Sequence, residues 1–167
     1  MGISTSQQTL SAPSNAAVRV ARLDVPKEAK EGIVFVKLQL LDGARRVPAD
    51  NFYWHAAQKS GYRKLDILLE APLACLAVMK KEAGAARIEV ELMNHGDGVA
   101  LAAQVVLRDA RTGARVLPVY ASDNYVSLLP GEQRRINIEV PKPTRDMTVE
   151  VKGWNVRGQI VPVVAAR

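Results

Sequence analysis

The sequence is poor in the side chains that most often build reactive centres. Cys75 is the one cysteine, so the chain forms no internal disulfide, and its apolar neighbours at 73–78 predict a small buried side chain rather than a reactive thiol. His55 and His95 lie far apart, with no Cys, Asp or Glu at ligand-like spacing. We therefore predict neither a metal site nor any cofactor.

Long hydrophobic runs and concentrated charge are also missing. No apolar run approaches the length of a membrane span, and residues 1–15 are polar. The net charge of +6 is dispersed along the chain instead of gathered on one stripe beside stacking aromatics. Gly96 and Gly98 lack the third glycine and the following helix of a phosphate loop. These gaps predict no membrane, nucleic-acid or nucleotide partner.

The chain is too short for one large class of enzyme. Its 167 residues fall below the roughly 200 that a catalytic α/β barrel needs. Hydrophobic residues nevertheless make up 48% of the chain, which is enough for a packed core. We expect a globular chain without a barrel-type active site.

Period-two alternation dominates the first half of the sequence and is typical of β-strands. Residues 33–40 form a β-branched and aromatic run that ends at the turn signal Asp42-Gly43, and residues 47–54 are the predicted hairpin partner. Val18 and Val20 predict a shorter strand before them.

The second half repeats the same alternation more often. Ile88, Val90 and Leu92 alternate with charged residues, and Pro118 is expected at an edge or a bulge because it cannot donate to a ladder. About seven strands separated by Gly, Pro, Asn and Asp turns predict an all-β, immunoglobulin-like β-sandwich held by hydrophobic packing. The further predicted strands are 101–107, 116–120, 136–140, 147–151 and 160–164.

The same pattern predicts the domain organisation. We expect a flexible lead-in at 1–15, the closing strands of a second, incomplete sandwich at 16–56, a linker at 57–72 and the immunoglobulin-like sandwich at 73–167. The linker is compatible with a short helical turn before Pro72.

Two Asp-Asn pairs lead into aromatic residues, at 50–55 (DNFYWH) and at 122–125 (SDNY). Tyr53 and Trp54 are adjacent on a predicted strand, so they point to opposite faces, one toward a core and one outward. They cannot jointly form a flat sugar-binding platform. Trp154 is predicted to be a core residue, since an aromatic on a sandwich strand is more often buried than ligand-binding.

The second Asp-Asn pair predicts a structural role. Short polar side chains at Asp123 and Asn124 bond readily to nearby backbone amides and would set the bend before Tyr125. The candidate structural or contact residues are Asn51, Tyr53, Trp54, Asp123, Asn124, Tyr125, Trp154 and Asn155.

Paired carboxylates would indicate a glycosidase, which holds two of them across the bond that it cleaves. Glu89 and Glu91, like Glu139 and Glu150, lie on outward strand positions beside Arg and Lys, where solvated charge explains them. No concave scaffold is predicted to bring a pair together, so no catalytic residue is assigned.

One stretch, SDNYVSLLPGE at 122–132, carries a family resemblance together with Asn94, Gly113, residues 117–119 and Gly-Trp-Asn at 153–155. This set resembles the C-terminal immunoglobulin-like domain of exo-β-D-glucosaminidases and β-mannosidase-like enzymes of glycoside hydrolase family two. The resemblance covers roughly residues 65 to 167, a span suited to one such sandwich.

An earlier stretch is similar to the closing strands of the preceding sandwich in the same enzymes, at 35–42 and 49–54. The chain departs from the family there, because the first half of that sandwich, the catalytic barrel and its two catalytic glutamates are missing. The resemblance therefore implies no active-site residue in this chain. A half sandwich has exposed edges and an uncovered apolar face, so residues 1–60 are expected to be less protected than the rest.

The resemblance implies a non-catalytic accessory domain that buttresses the barrel of a parent glycosidase. The implied parent hydrolyses O-glycosyl bonds and is periplasmic or secreted. The implied partners of the domain are the barrel, the preceding sandwich and, as a contact, polysaccharide. Two alternatives stay open, a carbohydrate-binding module and a free-standing interaction domain. Chitosan is a poor match for the first, because it is cationic and the chain carries +6.

Overall fold

The computed structural model describes residues 4–22, 32–82, 85–143 and 146–166, and over these residues the predicted all-β class is confirmed. The chain divides into two compact units, Met1–Ile67 and Leu68–Arg167, which we call the hairpin unit and the sandwich unit. In chain order the strands are β1 (Ile33–Leu40), β2 (Ala49–Ala56), β3 (Leu73–Glu82), β4 (Ala85–Asn94), β5 (Ala100–Asp109), β6 (Tyr120–Ala121), β7 (Val126–Leu128), β8 (Gln133–Val140), β9 (Met147–Lys152) and β10 (Gln159–Ala165).

The hairpin unit is built on β1 and β2, which pair antiparallel along their full lengths. Asp42 organises the connection between them, because its Oδ1 accepts hydrogen bonds of 2.9 Å from the backbone amides of Ala44 and Arg46. A second carboxylate oxygen, Oδ2, pairs with the Arg46 guanidinium at 2.7 Å. This turn fixes the register of the hairpin.

A 3-10 helix, Lys59–Ile67, follows the hairpin within the segment predicted as a linker. It approaches the hairpin closely at Gly61, where a Cβ atom would lie 2.8 Å from Ala56 Cβ and 2.9 Å from the carbonyl oxygen of Gly32. Only glycine allows so close an approach.

Apolar side chains lie on both faces of this two-stranded sheet. Leu38 and Tyr53 share one face and are 47% and 50% exposed. On the other face, the ring centroids of Phe35 and Phe52 are 5.9 Å apart. Both faces of the sheet therefore carry apolar side chains, and the described residues of this unit supply no second layer of strands.

The sandwich unit has two layers of strands. One layer runs β6-β8-β4-β3 and the other runs β9-β5-β7, with antiparallel pairing throughout. From β4 to β9, successive strands alternate between the two layers, as the crossing connections of an immunoglobulin-like sandwich require.

Strand β10 belongs to both layers. Its first half, residues 159–162, pairs antiparallel with β9, and its second half, residues 163–165, pairs parallel with β3. Pro162 lies at the change of partner, where a residue without an amide proton costs the ladder least.

Inward residues from both layers form one hydrophobic core. Ile88, Val90 and Leu92 of β4 are fully buried, and so are Val149 and Val151 of β9. Burying side chains of this size stabilises the fold by roughly 1.5–3 kcal/mol each. The alternation predicted at 88–92, 136–140 and 147–151 is thus confirmed.

Two predicted strands are wrong. Val18 and Val20 are about half exposed in a segment without strand structure, because no neighbouring strand pairs with them in the described chain. Residues 116–119 are also not a strand: Pro118 has no amide proton to donate, and only Tyr120–Ala121 pair with β8.

Candidate functional site

Asn124 fixes the segment between β6 and β7 to strand β5. Its Oδ1 accepts a hydrogen bond of 2.8 Å from the Val105 amide, and its Nδ2 donates one of 3.0 Å to the Val105 carbonyl. The side chain thus pairs with β5 as a strand residue would. Asp123 accepts a hydrogen bond from the Asn124 amide, and Asn124 Oδ1 accepts one from the Tyr125 amide. Together these bonds set the bend that leads into Tyr125.

Tyr125 is exposed and held in an unusual backbone conformation. Its side chain is 63% exposed and its φ is +55°. Left-handed backbone costs a bulky residue about 1–2 kcal/mol. Its hydroxyl accepts a hydrogen bond of 2.7 Å from Gln104 Nε2, on the outward face of β5. The ring therefore lies over the sandwich and not inside it.

Asn155 fixes the chain on the other side of β5. Its Oδ1 accepts a hydrogen bond of 2.9 Å from the Leu101 amide, and its Nδ2 donates bonds of 2.8 Å to the carbonyls of Leu69 and Val99. The amide of Trp154 donates to the Leu101 carbonyl at 3.0 Å. The Trp154 side chain is 59% exposed, so the expectation that it lies in the core is wrong. Strand β9 has already ended at this point, and the residue lies where the chain leaves the sheet.

Strand β5 is irregular where these contacts meet. Ala102 has a φ of +52°, and the register with β7 shifts over residues 100–103. Gly153 approaches β5 so closely that a Cβ atom there would lie 2.9 Å from the Leu101 carbonyl oxygen. Bulges of this kind change the direction of neighbouring side chains. Tyr125 and Trp154 are thereby presented on either side of β5.

Asn51, Tyr53 and Trp54 lie on β2, in the hairpin unit. Tyr53 is opposite Val36 and Trp54 is opposite Phe35, so the two aromatic side chains point to different faces as predicted. Both are about half exposed, at 50% and 45%. The expectation that one of them enters a core is wrong, because a two-stranded sheet supplies no second layer to cover it.

The four glutamates weighed as catalytic candidates all have basic partners. Arg108 donates hydrogen bonds of 2.7 and 3.0 Å to Glu150 Oε2, and this interaction holds the pKa of Glu150 below its ordinary value. Lys152 Nζ lies 3.8 Å from the same oxygen. The remaining pairs are Arg135 with Glu89 and with Glu91, and Arg87 with Glu139.

The side chains with metal or redox chemistry occupy ordinary positions. Cys75 is half-buried against the core, and burial raises the pKa of its thiol to about 11, which disfavours the reactive thiolate. His95 is exposed. Within the described ranges, no three His, Cys, Asp or Glu side chains are close enough together to hold a metal ion. The described helical structure contains no segment long and apolar enough to cross a membrane.

Asn94 has a structural role that sequence reasoning did not identify. Its side chain is fully buried, its Nδ2 donates to the carbonyls of Gly98 and Leu128, and its Oδ1 accepts from the Gly96 amide. It joins the turn after β4 to the end of β7. The turn-rich sequence at 94–98 was visible, but the distant partner was not.

A strip of exposed aliphatic side chains on β3 and β10 was also not predicted. Leu76, Ile160 and Val164 are 55%, 64% and 45% exposed, and Val164 is directly opposite Val78. The sequence signal is the unbroken apolar character of 73–79 and 160–165, since strands apolar on both sides are usually covered on both sides. We call Leu76, Val78, Ile160, Pro162 and Val164 the aliphatic strip.

Comparisons with known proteins identify relatives of this arrangement. Residues 51–156 match the family described as the exo-beta-D-glucosaminidase Ig-fold domain. The chain is similar to the exo-beta-D-glucosaminidase of Arthroderma benhamiae, at 28% identity over 144 residues that cover 77% of this chain and 16% of that protein.

Solved structures give the same result. The crystal structure of the Amycolatopsis orientalis exo-chitosanase CsxA is 26% identical, with a TM-score of 0.67 over 77% of this chain and 18% of that one. A complex of a CsxA variant with PNP-beta-D-glucosamine gives 26% identity and a TM-score of 0.68 over the same shares. The chain thus spans less than a fifth of the length of these relatives. Both asparagine-anchored aromatic residues, Tyr125 and Trp154, lie inside the family match.

Proposed function

The chain belongs to the exo-β-D-glucosaminidase Ig-fold domain family, and we propose that it serves as a non-catalytic accessory domain packed against the rest of a longer glycoside hydrolase of family two. The resemblance seen in the sequence is confirmed at the level of the family. The small share of each relative that the chain covers supports its place within a longer enzyme.

The charged groups of the sandwich support a non-catalytic role. Hydrogen bonds from Arg108 lower the pKa of Glu150, and hydrogen bonds from Thr112 lower the pKa of Asp109. The general acid of a glycosidase needs the opposite, a raised pKa that keeps a proton on the carboxyl group near neutral pH. Glu150 and Asp109 are therefore suited to ion pairing and turn formation.

The observation that carries the packing role is the aliphatic strip. Ile160, Pro162 and Val164 project from the same side of β10, and Leu76 and Val78 project from the adjoining strand. The strip itself contains no charged side chain, although glutamates border it on both neighbouring strands. An apolar core with a charged rim is typical of a surface that is covered by protein. The rest of the parent enzyme is the proposed cover, because more than four-fifths of each relative lies outside the matched region.

The first experiment tests the absence of catalysis. The purified chain is incubated with PNP-β-D-glucosamine and with chitosan oligomers, and released nitrophenol and glucosamine are measured. We expect no release above buffer. Turnover that disappears when the chain is heat-unfolded would contradict the non-catalytic role.

The second experiment tests the packing surface by comparing Ile160→Glu with Leu117→Glu, a control at a position that is 72% exposed and outside the aliphatic strip. In the chain alone, Leu117→Glu should change the free energy of unfolding by no more than about 0.5 kcal/mol, and Ile160→Glu, which is directly opposite Glu150, should lower it by about 1 kcal/mol or less. In the longer native enzyme, Ile160→Glu should lower the melting temperature much further than it does in the chain alone, and Leu117→Glu should not. Equal effects in the longer enzyme, or a native polypeptide of only 18.2 kDa, would count against the packing role and favour a free-standing domain.

A further inference from the structure

Two exposed aromatic side chains flank one strand of the sandwich, and the packing role does not use them. Tyr125 and Trp154 are 63% and 59% exposed, while the aliphatic strip contains no aromatic residue. We propose that Tyr125, Gln104 and Trp154 form a binding site for a neutral, β-linked hexopyranose chain on the outer face of β5. This site goes beyond the packing role, and the two proposals can fail separately.

The backbone beside each of the two aromatic residues is anchored. Each is next to an asparagine whose side-chain oxygen and nitrogen are both engaged: Asn124 with the amide and carbonyl of Val105, and Asn155 with the Leu101 amide and two carbonyls. A backbone that is fixed before binding loses little conformational freedom on binding. The left-handed backbone of Tyr125 costs about 1–2 kcal/mol, and such strain is concentrated at ligand clamps and other functional positions.

The spacing of the two residues fits a chain of sugars better than a single sugar. Gln104 is opposite Lys152, and Ala103 is opposite Val126, so β5 runs between the segments that carry Tyr125 and Trp154. Neighbouring strands lie about 4.8 Å apart, which places the two aromatic backbones roughly 10 Å apart across β5, with a further offset along it. The outward side chains on this part of β5 are those of Ala102 and Gln104, and Lys152 lies opposite Gln104 on β9.

The polar groups between the rings suit sugar hydroxyls. Gln104 Nε2 donates to the Tyr125 hydroxyl, which leaves the hydroxyl proton of Tyr125 and the carbonyl oxygen of Gln104 available to a ligand. A β-linked hexopyranose presents two apolar CH faces that can stack on aromatic rings and an edge of hydroxyl groups that can hydrogen-bond. The site offers both kinds of contact.

The charges beside the site select against a cationic polymer. Arg108 and Lys152 share one carboxylate, Glu150, at 2.7 and 3.8 Å, so this part of the sheet carries an excess of positive charge. A polyamine such as chitosan would be repelled, whereas an N-acetylated or unsubstituted glucan chain would not. The proposed ligand is therefore neutral.

The test is a titration of the full chain carrying Trp54→Phe, so that fluorescence reports on Trp154 alone. The probes are the tetrasaccharides of chitin, cellulose and chitosan. We expect a blue shift with one or both neutral probes and a markedly weaker response to chitosan at low ionic strength. The two neutral probes then distinguish an acetamido sugar from a plain glucan.

Calorimetry on single variants locates the site. Trp154→Ala and Tyr125→Asn should each weaken binding about tenfold or more, as expected for the loss of an aromatic hot spot. Asparagine is chosen at 125 because it tolerates positive φ, so the backbone is kept while the ring is removed. Trp54→Ala, which removes a tryptophan of similar exposure in the hairpin unit, should leave the Kd unchanged.

Several results would overturn this site. They are no binding of either neutral probe at millimolar concentration, binding that survives both Trp154→Ala and Tyr125→Asn, or binding of chitosan alone. Protection of Trp154 by the rest of the longer enzyme, without a response to sugar, would identify the surface as a protein contact instead. Failure of the packing role would appear with Ile160→Glu and would leave these titrations unchanged.

Discussion

The hairpin unit and the sandwich unit use strands of similar composition, yet they bury them very differently. Leu38 of β1 is 47% exposed, whereas Leu92 of β4 is fully buried. Both leucines lie on strands with apolar neighbours two residues away. The difference is the second layer, because the sandwich opposes two inner faces while the hairpin is followed only by a 3-10 helix in its own unit. Alternation predicts a strand, but burial depends on what the strand meets.

Amide hydrogen exchange should show the largest difference between the units. Amides of β4 and β9 should exchange only through global unfolding, while those of β1 and β2 should exchange through local opening, because an isolated hairpin is marginally stable. We expect rates that differ by about a thousandfold or more, measured by NMR or mass spectrometry. Uniformly slow exchange over residues 33–56 in a monomer would contradict this difference and indicate a self-sufficient hairpin unit.

Leucine truncation should separate the units next most clearly. Leu92→Ala leaves a cavity between two packed sheets and should lower the free energy of unfolding by about 2–5 kcal/mol. Leu38→Ala removes a half-exposed side chain and should cost less than about 1 kcal/mol. Urea unfolding followed by circular dichroism measures both. Similar losses would mean that β1 is covered in solution.

Removal of a buried amide should have a smaller effect. Asn94→Ala leaves the carbonyls of Gly98 and Leu128 and the Gly96 amide without their partner, so we expect a loss of about 1–3 kcal/mol. The matched change in the hairpin unit is Asn51→Ala, at an exposed position, with an expected effect within about 0.5 kcal/mol. Thermal unfolding of the two variants measures both effects, and an equal loss of stability would argue against a special role for Asn94.

The pH dependence of stability should differ least, but its direction is defined. The pKa of Glu150 is lowered by Arg108 in the folded state, so its contribution is present above the ordinary value of 4.5 and is lost as the pH falls through the folded-state pKa. Glu150→Gln should therefore flatten the decline in melting temperature below about pH 4.5. Hydrogen bonds from Arg46 also lower the pKa of Asp42, which lies in the hairpin turn. Asp42→Asn should leave the sandwich transition unchanged, and a shift of that transition would show that the units unfold together.

The strands that the sequence predicted correctly have one solvent-exposed face and one buried face. In β4, β8 and β9, charged residues alternate with Ile and Val, so both the strand and its buried side can be read directly. Strand β3 escaped prediction because Leu73, Cys75 and Ala77 face inward while Leu76 and Val78 are also apolar. Apolar residues on both sides hide the period of two.

The candidate site was predicted only in part, for a related reason. Asp123 and Asn124 act on neighbouring backbone, so their role in the bend could be inferred from residue type alone. The pairing of Asn124 with Val105, and of Asn155 with Leu101, depends on strands brought together by the fold. The prediction that Trp154 lies in the core rested on how often aromatic residues on sandwich strands are buried. Its exposure follows from the point at which β9 ends.

The change of partner within β10 sets an order of events during synthesis. Residues 159–165 follow every other strand of the sandwich in the chain, and they alone hydrogen-bond to both β9 and β3. While a ribosome is still translating the preceding strands, no described strand can yet pair with both β9 and β3. A nascent chain interrupted before this point would therefore leave the edges of β9 and β3 open, a form that proteases and chaperones recognise. The pairing of β10 with both β9 and β3 can therefore form only after all the other strands of the sandwich have been translated.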